Sequence, residues 1–365
     1  MNLNTNSFIY SQELDVLDKV FIINCSNAFT GLGRYAQDLL TVTGKPSNFF
    51  HVTWDRDITI LNEPDVKLVR TPTLNIPKLN QIFDNMARIF PRLLFAEYFN
   101  LIKKIKNEKG IIHYSSQLIP PSLPDSRDIV TIHDLFALGD FLKQPINELI
   151  LKKFLHFENI ITDSNVVADQ ITTLRKDSEP CVIHPYVSPE FHKMDKNAAR
   201  EITGIVPDSI IILNVASVQA RKNQEVIGKV MKKLGNQYKL VRVGKRYGSE
   251  INFENVSYEF LNAIYNSADI LFFPTLGEGF GFPLIEAMAC GLPIVTSELP
   301  ITREVAGDAA VYVNPSSIED MAEAIKETSA SSNRLVQREL ERVKYFSFQR
   351  FKSNLIDYYK KVDAL

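Results

Sequence analysis

Cysteine is scarce in this chain. Cys25, Cys181 and Cys290 are the three among 365 residues, far apart and without a C-x-x-C pair. That excludes a disulfide framework and a zinc site and fits free thiols in a reducing compartment. Charge of one sign is missing too: a net charge of −2 argues against general nucleic-acid binding, which calls for a basic surface. No apolar run has the length to span a bilayer. The N-terminal MNLNTNSFIYSQELD lacks the basic-then-apolar order of a secretory signal, so a cytoplasmic protein is expected. Solenoid repeats and low-complexity tracts are also absent. What remains is ordinary globular composition, 45% hydrophobic and 23% charged, in a chain long enough for two separate cores.

Short apolar runs alternate with amphipathic stretches throughout. In the first half the expected strands are Val20–Cys25, Phe49–Trp54, Val66–Val69, Ile111–Tyr114, Ile129–His133 and Ile160–Thr162. Helical stretches separate them at Gly33–Leu40, Leu79–Lys106, Ile146–Phe157 and Ser164–Leu174, the last with Ser164 as N-cap. The rhythm restarts with strands at Ile210–Val215, Tyr238–Val243, Ile270–Phe273, Ile294–Thr296 and Ala310–Val313. Helices are expected between them at Gln224–Leu234, Asn262–Asn266, Pro283–Ala289 and Ile318–Thr328. This βαβ order predicts an α/β protein with two Rossmann-like, doubly wound parallel sheets. The interval His184–Ala198, with two prolines and no clear period, marks the boundary between domains 1–185 and 186–345. Such sheets bind ligands at the carboxyl ends of their strands, here in an interdomain cleft.

The most informative stretch is Pro274–Gly291, PTLGEGFGFPLIEAMACG. The apolar run Ala268–Pro274 enters a glycine-rich turn, Pro283 opens a helix, and Gly291 followed by Pro293 ends it. A helix N-terminus after such a turn is a natural seat for phosphate. Glu278 falls in the turn and Glu286, eight positions later, in the first helical turn, both directed at whatever the loop holds. Carboxylates there suit the hydroxyls of a sugar. A solvated Glu278 and a dipole-complementing Glu286 form the plainer account. Yet Gly279, Phe280, Gly281 and Phe282 supply more packing than an exposed turn requires.

This segment resembles the E-x7-E signature of family 4 glycosyltransferases, retaining enzymes of the GT-B fold that use nucleotide sugars. The likeness continues through PIVTS at 293–297, REVAGD at 303–308 and VYVNP at 311–315. It implies a final helix, 346–365, that crosses back onto the first domain. It also implies no cofactor, because the GDP- or UDP-linked sugar is a co-substrate.

The segment Val215–Asn223 carries Arg221 and Lys222 at a strand-to-helix connection, on the same side of the sheet as Glu278. A diphosphate needs cationic partners, and Arg offers a fork while Lys offers a compact charge. Adjacent basic residues are otherwise a solvated surface, although at a helix start they oppose the dipole. The resembled family places a phosphate-binding Arg/Lys pair here. Many relatives have a second Arg where Ser217 stands, so Arg221 is expected to carry more of the diphosphate contact.

Gly31 and Gly33 permit close backbone approach, and GLGRYAQDLL resembles the family's glycine-rich loop facing donor phosphate and acceptor. Gly31-x-Gly33-x-x-Ala36 also matches a dinucleotide fingerprint with Asp55 as the ribose acid, although Ser26–Thr30 intervene between strand and first glycine. TIHDL at 131–135 puts His133 at a strand end, where the family's His lines the donor-sugar pocket. Asp163 and Ser164 resemble a family stretch near the acceptor. Asp55-Arg56-Asp57 matches the metal-holding D-x-D of the other glycosyltransferase fold; so short a pattern arises by chance, and no metal is expected. In the basic stretch Leu79–Lys109, a packed helix with a solvated face is preferred to contact with an anionic membrane surface.

The expected activity is retaining transfer of a hexose, with a lean to mannose, from a nucleotide diphosphate sugar to a hydroxyl of a glycan or lipid-linked acceptor. It is placed in the cytoplasm, or at the inner face of the membrane. His133, Glu278, Arg221 and Lys222 are the catalytic candidates; Gly31, Gly33, Ser217, Gly279, Phe280, Gly281, Phe282 and Glu286 are the donor-binding ones. An NAD-type oxidoreductase using Gly31–Ala36 and a non-catalytic nucleotide-sugar binding subunit remain the alternatives.

Overall fold

A computed structural model describes residues 15–24, 31–53, 66–70, 96–118, 125–136, 152–205, 209–245 and 251–364. Cys25, residues 26–30, Trp54, the Asp55–Asp57 triplet and residues 79–95 and 146–151 lie outside them. The chain divides into two compact units, Met1–His184 with Lys352–Leu365, and Pro185–Phe351.

The first unit carries β1 (Val20–Asn24), β2 (Phe49–Thr53), β3 (Lys67–Arg70), β4 (Ile111–Tyr114), β5 (Ile129–Ile132), β6 (Asn159–Thr162) and β7 (Cys181–Val182). They form one parallel sheet in the order β3-β2-β1-β4-β5-β6-β7. Strands β4, β5 and β6 are buried at every position. Both of their faces are covered, so they lack the polar–apolar alternation of a half-exposed strand, and the polar side chains they carry, His113, Thr131, Asn159 and Thr162, are buried as well. Helices α1 (Gly31–Thr43), α2 (Ala96–Asn107) and α3 (Asn165–Leu174) belong to this unit. Ile102 and Ile105 of α2 and Ile171 of α3 join Ile112, Val130 and Ile160 in its core. Ser164 caps α3 as expected, accepting from the Val167 N–H.

In the second unit, β8 (Ile210–Val215), β9 (Tyr238–Val243), β10 (Ile251–Phe253), β11 (Ile270–Phe273), β12 (Ile294–Ser297) and β13 (Val311–Val313) form a parallel sheet in the order β10-β9-β8-β11-β12-β13. Its helices are α4 (Lys196–Thr203), α5 (Gln224–Leu234), α6 (Tyr258–Ser267), α7 (Phe282–Cys290), α8 (Pro300–Ala306), α9 (Ile318–Ala330) and α10 (Asn333–Arg342). Helix α6 packs on α4, α9 on α5 and α7 on α10. The last helix, α11 (Phe348–Asp363), returns to the first unit from Lys352 onward. There the Tyr359 hydroxyl meets His113 Nδ1 at 2.7 Å, and Lys19 pairs with Asp363 at 2.9 Å.

Three local expectations need correction. Helix α6 begins at Tyr258, four residues before the expected start, because Ser257 caps it by accepting from the Phe260 N–H. Helix α4 starts inside the interval read as periodless, with Asp195 accepting from the N–H groups of Asn197 and Ala198. Helix α1 begins at Gly31, two residues before the expected Gly33, so Gly31 is helical and not in a loop before it. Among the described residues no helix is long and apolar enough to cross a membrane. Cys181 and Cys290 are free thiols.

In each sheet the winding reverses once, between β1 and β4 and between β8 and β11. In open parallel sheets the connections leaving the strands at such a point diverge and leave room for a ligand beyond the carboxyl ends.

Candidate active site

Strand β8 ends at Val215, and a single turn of 3-10 helix, Ala220–Lys222, precedes α5. Strand β11 ends at Phe273, and Pro274–Gly281 leads into α7. These two connections, which flank the switch point of the second sheet, bind each other. The Leu276 N–H donates to the Arg221 carbonyl at 2.7 Å, and the Thr275 hydroxyl donates to the same oxygen at 3.2 Å. Beside them Lys222 Nζ donates to both oxygens of Glu278 at 2.7 Å. Arg221 Nη1 donates to Glu278 Oε2 at 2.9 Å and to the Gly277 carbonyl at 2.8 Å. Side-chain exposure is only 15% for Arg221, 11% for Lys222 and 6% for Glu278, so water screens the cluster weakly. Burial alone would favour protonated Glu278, but the charges of Lys222 and Arg221 outweigh it and hold the carboxyl below its usual range. Among the described residues, Glu278 is the carboxylate that both cations contact. Ser217, on the same connection, is exposed.

The far side of this connection is the start of α7. Gly281 precedes it with φ 104°, a conformation that other residues rarely adopt, and its amide turns the chain into the helix. Because Phe282 is already helical, Glu286 is the fifth residue of α7, and no acid lies in its first turn. The expectation of a first-turn Glu286 counted from Pro283 and is corrected here. Glu286 is 5% exposed and accepts the hydroxyl of Tyr265, from α6, at 2.7 Å. Fewer donors are offered by this N-terminus than the pattern promised. Pro283 has no N–H, and the Leu284 N–H is committed to the Gly281 carbonyl at 3.0 Å. Phe280 is buried, its ring 5.5 Å from Phe282 and 5.7 Å from Phe346. Its side chain anchors the loop.

In the first unit His133 follows β5 and Asp163 follows β6, the adjacent strand. His133 Nδ1 lies 2.5 Å from Asp163 Oδ2 and Nε2 lies 2.8 Å from the Ser115 carbonyl oxygen. The His133 backbone N–H donates to Gln117 Oε1 at 3.2 Å. From α1, Tyr35 sets its ring edgewise against the imidazole at 4.8 Å and shares a 3.1 Å hydrogen bond with Thr131. Thr131 in turn meets His113 Nε2 at 2.8 Å, which links this region to Tyr359 of α11. Burial disfavours the charged imidazole, but the Asp163 carboxylate outweighs it and raises the pKa of His133. Among the described residues no three His, Cys, Asp or Glu side chains converge on a metal position.

Arg221, Lys222 and Glu278 are thus brought into direct contact from connections more than fifty residues apart. Tyr265 and Ser115 escaped the sequence reading. Tyr265 has the apolar-face periodicity of any packed aromatic, and Ser115 contributes a backbone carbonyl, for which no residue type signals.

Residues 195–345 match the model of the family described as glycosyl transferases group 1. Over 71 residues the chain is 42% identical to the O-antigen chain mannosyltransferase RfbU of Salmonella typhimurium, covering 20% of each protein. It is 26% identical over 217 residues to a D-inositol 3-phosphate glycosyltransferase of Mycolicibacterium smegmatis, covering 52% of this chain and 50% of that one. The aligned parts therefore span between a fifth and a half of these curated relatives. In structure the chain is similar to a sucrose-phosphate synthase of Thermosynechococcus elongatus, with a TM-score of 0.73 at 19% identity over 94% of this chain and 99% of that one. At such identity the likeness bears on fold alone, and the fold is the GT-B type with two doubly wound parallel sheets.

Proposed function

We propose that this chain, whose residues 195–345 match the model of the group 1 glycosyl transferases, moves a hexose from a nucleotide diphosphate sugar to an acceptor hydroxyl with retention of anomeric configuration. One observation carries this reading: Arg221, Lys222 and Glu278 converge at the carboxyl ends of β8 and β11, beside a glycine turn that opens α7. Glycosyl transfer from a diphosphate builds negative charge on the departing group. Arg221 and Lys222 stabilise that charge, and backbone groups of Gly279–Phe282 add to it. Cationic side chains thereby supply the compensation that a divalent ion supplies at other phosphate sites.

Glu286, held by Tyr265, accepts the nucleotide ribose hydroxyls. Glu278 accepts the donor-sugar hydroxyls once diphosphate has taken over the two cations. His133 positions the sugar, and Gly31 and Gly33 let α1 approach donor and acceptor closely. Among the described residues no side chain stands out as a covalent nucleophile, and front-face transfer directed by the leaving phosphate is the economical mechanism. The similarity to an O-antigen mannosyltransferase supports mannose as the sugar and a glycan or lipid-linked acceptor. Exposed Lys103, Lys104 and Lys109 at the end of α2 suit an anionic membrane surface that carries such an acceptor.

The test is a panel of GDP- and UDP-sugars assayed for binding, slow donor hydrolysis and transfer. Lys222→Ala and Glu286→Ala are each expected to cut transfer about 100-fold or more with the circular dichroism spectrum unchanged. Full transfer in both variants overturns the assignment. NADH binding without nucleotide-sugar binding favours an oxidoreductase, and donor affinity with neither hydrolysis nor transfer favours a binding subunit.

A further inference from the structure

Both ring nitrogens of His133 face oxygen atoms. Nε2 lies 2.8 Å from the Ser115 carbonyl oxygen, which can only accept, so Nε2 carries a proton. At Nδ1, 2.5 Å from Asp163 Oδ2, a further proton lies between an imidazole and a carboxylate. A carboxylic acid is ordinarily stronger than an imidazolium by more than about two pKa units, which leaves that proton on the ring. Removing either ring proton would set a nitrogen lone pair against an oxygen lone pair at under 3 Å, whichever tautomer formed.

We propose that His133 is a fixed imidazolium throughout the neutral range, and that Asp163 is the positioning residue that holds its charge and its ring plane. The surroundings agree from every side that packs on it. From α1, Tyr35 presents a ring edge, and its own hydroxyl stays neutral because burial raises its pKa well above the usual value. From β4, His113 is neutral: burial first, and then the charge of His133, push it down to about 3. The carboxylates of Asp163 and, next in sequence, Asp134 are the anions that favour the charged ring. Asp163 Oδ1 has no hydrogen-bond partner among the described residues, so its carboxylate charge is met chiefly by the imidazolium. The ring is 5% exposed, and water competes little for either contact.

The consequence rests on the reading of His133 as a donor-facing residue. Such a ring has no lone pair to act as a base, and both N–H groups are already committed. It offers a donor bound there a stationary positive charge at the carboxyl end of β5 and no general base. The charge assignment itself stands apart from any activity and is tested apart from it.

With ring-15N histidine, the His133 signals, identified by their loss in His133→Gln, are followed from pH 6 to 9. Both nitrogens are expected to remain protonated to at least pH 8. In Asp163→Asn the ring is expected to become neutral by pH 8, with an apparent pKa at least one unit lower, a tenfold change in proton affinity. Asp163→Glu is expected to restore the charged signature. A neutral ring in the unaltered protein at pH 7 overturns the proposal even if Asp163→Asn does not fold. So does an Asp163→Asn spectrum, with His113 signals unmoved, in which His133 stays charged. Absence of glycosyl transfer with a charged His133 would overturn the functional reading and leave this assignment intact.

Discussion

Replacing Glu278 by Gln separates the two tasks of the Arg221–Lys222–Glu278 cluster. Without ligand, the carboxylate meets the two cations through three contacts of 2.7 to 2.9 Å. A diphosphate that docks on Arg221 and Lys222 must displace or share that carboxylate. At about 5 Å, with an effective dielectric constant of about 20, a unit phosphate charge and Glu278 repel by about 3 kcal/mol. Part of that is recovered when Glu278 turns away. A net gain of about 1.5–2 kcal/mol for the Gln variant then corresponds to roughly 10- to 30-fold tighter binding of GDP or UDP. Transfer falls at the same time, because the carboxylate assigned to the sugar hydroxyls is gone.

The unliganded variant pays in stability. Two largely buried cations lose their anion, at a cost of about 2–4 kcal/mol once partial exposure is allowed for. Saturating nucleotide restores the missing negative charge, so the gap in Tm between the two proteins should close as nucleotide is added. Glu278 in the folded state has a pKa below its unfolded value. It therefore contributes stability above the ordinary glutamate pKa, and that contribution is lost as pH falls through the lowered value. The Gln variant should lack this acid limb. Calorimetric titration with GDP and UDP decides the matter. A folded Glu278→Gln protein that binds both nucleotides no more tightly than the parent refutes the reasoning.

Tyr265→Phe removes one hydrogen bond to a charged acceptor, a loss of about 1.5 kcal/mol in how well Glu286 is fixed. The expected result is a KM for donor raised roughly tenfold with kcat little changed, since ribose contacts are made equally in ground and transition states; an unchanged KM contradicts the positioning role. Glu339 on α10 is fully buried, and burial pushes its carboxyl up to about 9 against a small opposing pull from the Ile294 backbone. The folded state thus holds a proton that the unfolded state releases, and stability falls as pH rises from about 4.5 toward 9. Glu339→Gln should flatten that slope and gain on the order of 3 kcal/mol at pH 8 with little change near pH 4.5; parallel Tm curves for the two proteins would contradict this.

How much of the molecule its sequence discloses depends on how local each cause is. Ile210–Val215, Tyr238–Val243 and Ile270–Phe273 form strands over the whole of their apolar runs. Burial on both faces favours apolar residues at successive positions, and enough of them stand around Asn214, Lys239 and Arg242 to mark the strands. The edge strands Cys181–Val182 and Ile251–Phe253 are short and only partly buried, so no run marks them. Helix starts were legible where an obvious cap stood, as at Ser164. They were missed at Ser257 and Asp195, the first followed by the aromatic-rich Tyr258–Leu261 and the second by the polar Lys196 and Asn197. The shift of Glu286 has the same origin: Gly281 at φ 104° lets Phe282 enter the helix, and a pattern read from Pro283 places the acid too near the N-terminus.

At the site, the residue types were legible and their pairing was not. Asp163 reads as one more polar residue at a strand end until β5 and β6 are neighbours, and then it meets His133. Glu278 reads as a ligand-facing acid until the connections after β8 and β11 close on each other, and then it meets Arg221 and Lys222. Both pairs solve one problem. A charge at the carboxyl end of a buried strand is costly unless an opposite charge accompanies it, and the nearest donor is the connection leaving the adjacent strand. The two solutions also limit each other in pH. The raised pKa of His133 gives stability that is fully present below the ordinary imidazole value and is lost as pH rises through the raised one. Glu278 contributes only above the lower end of its own range. Both contributions are fully present together between the ordinary glutamate and the ordinary imidazole values, and each is lost on its own side of that window.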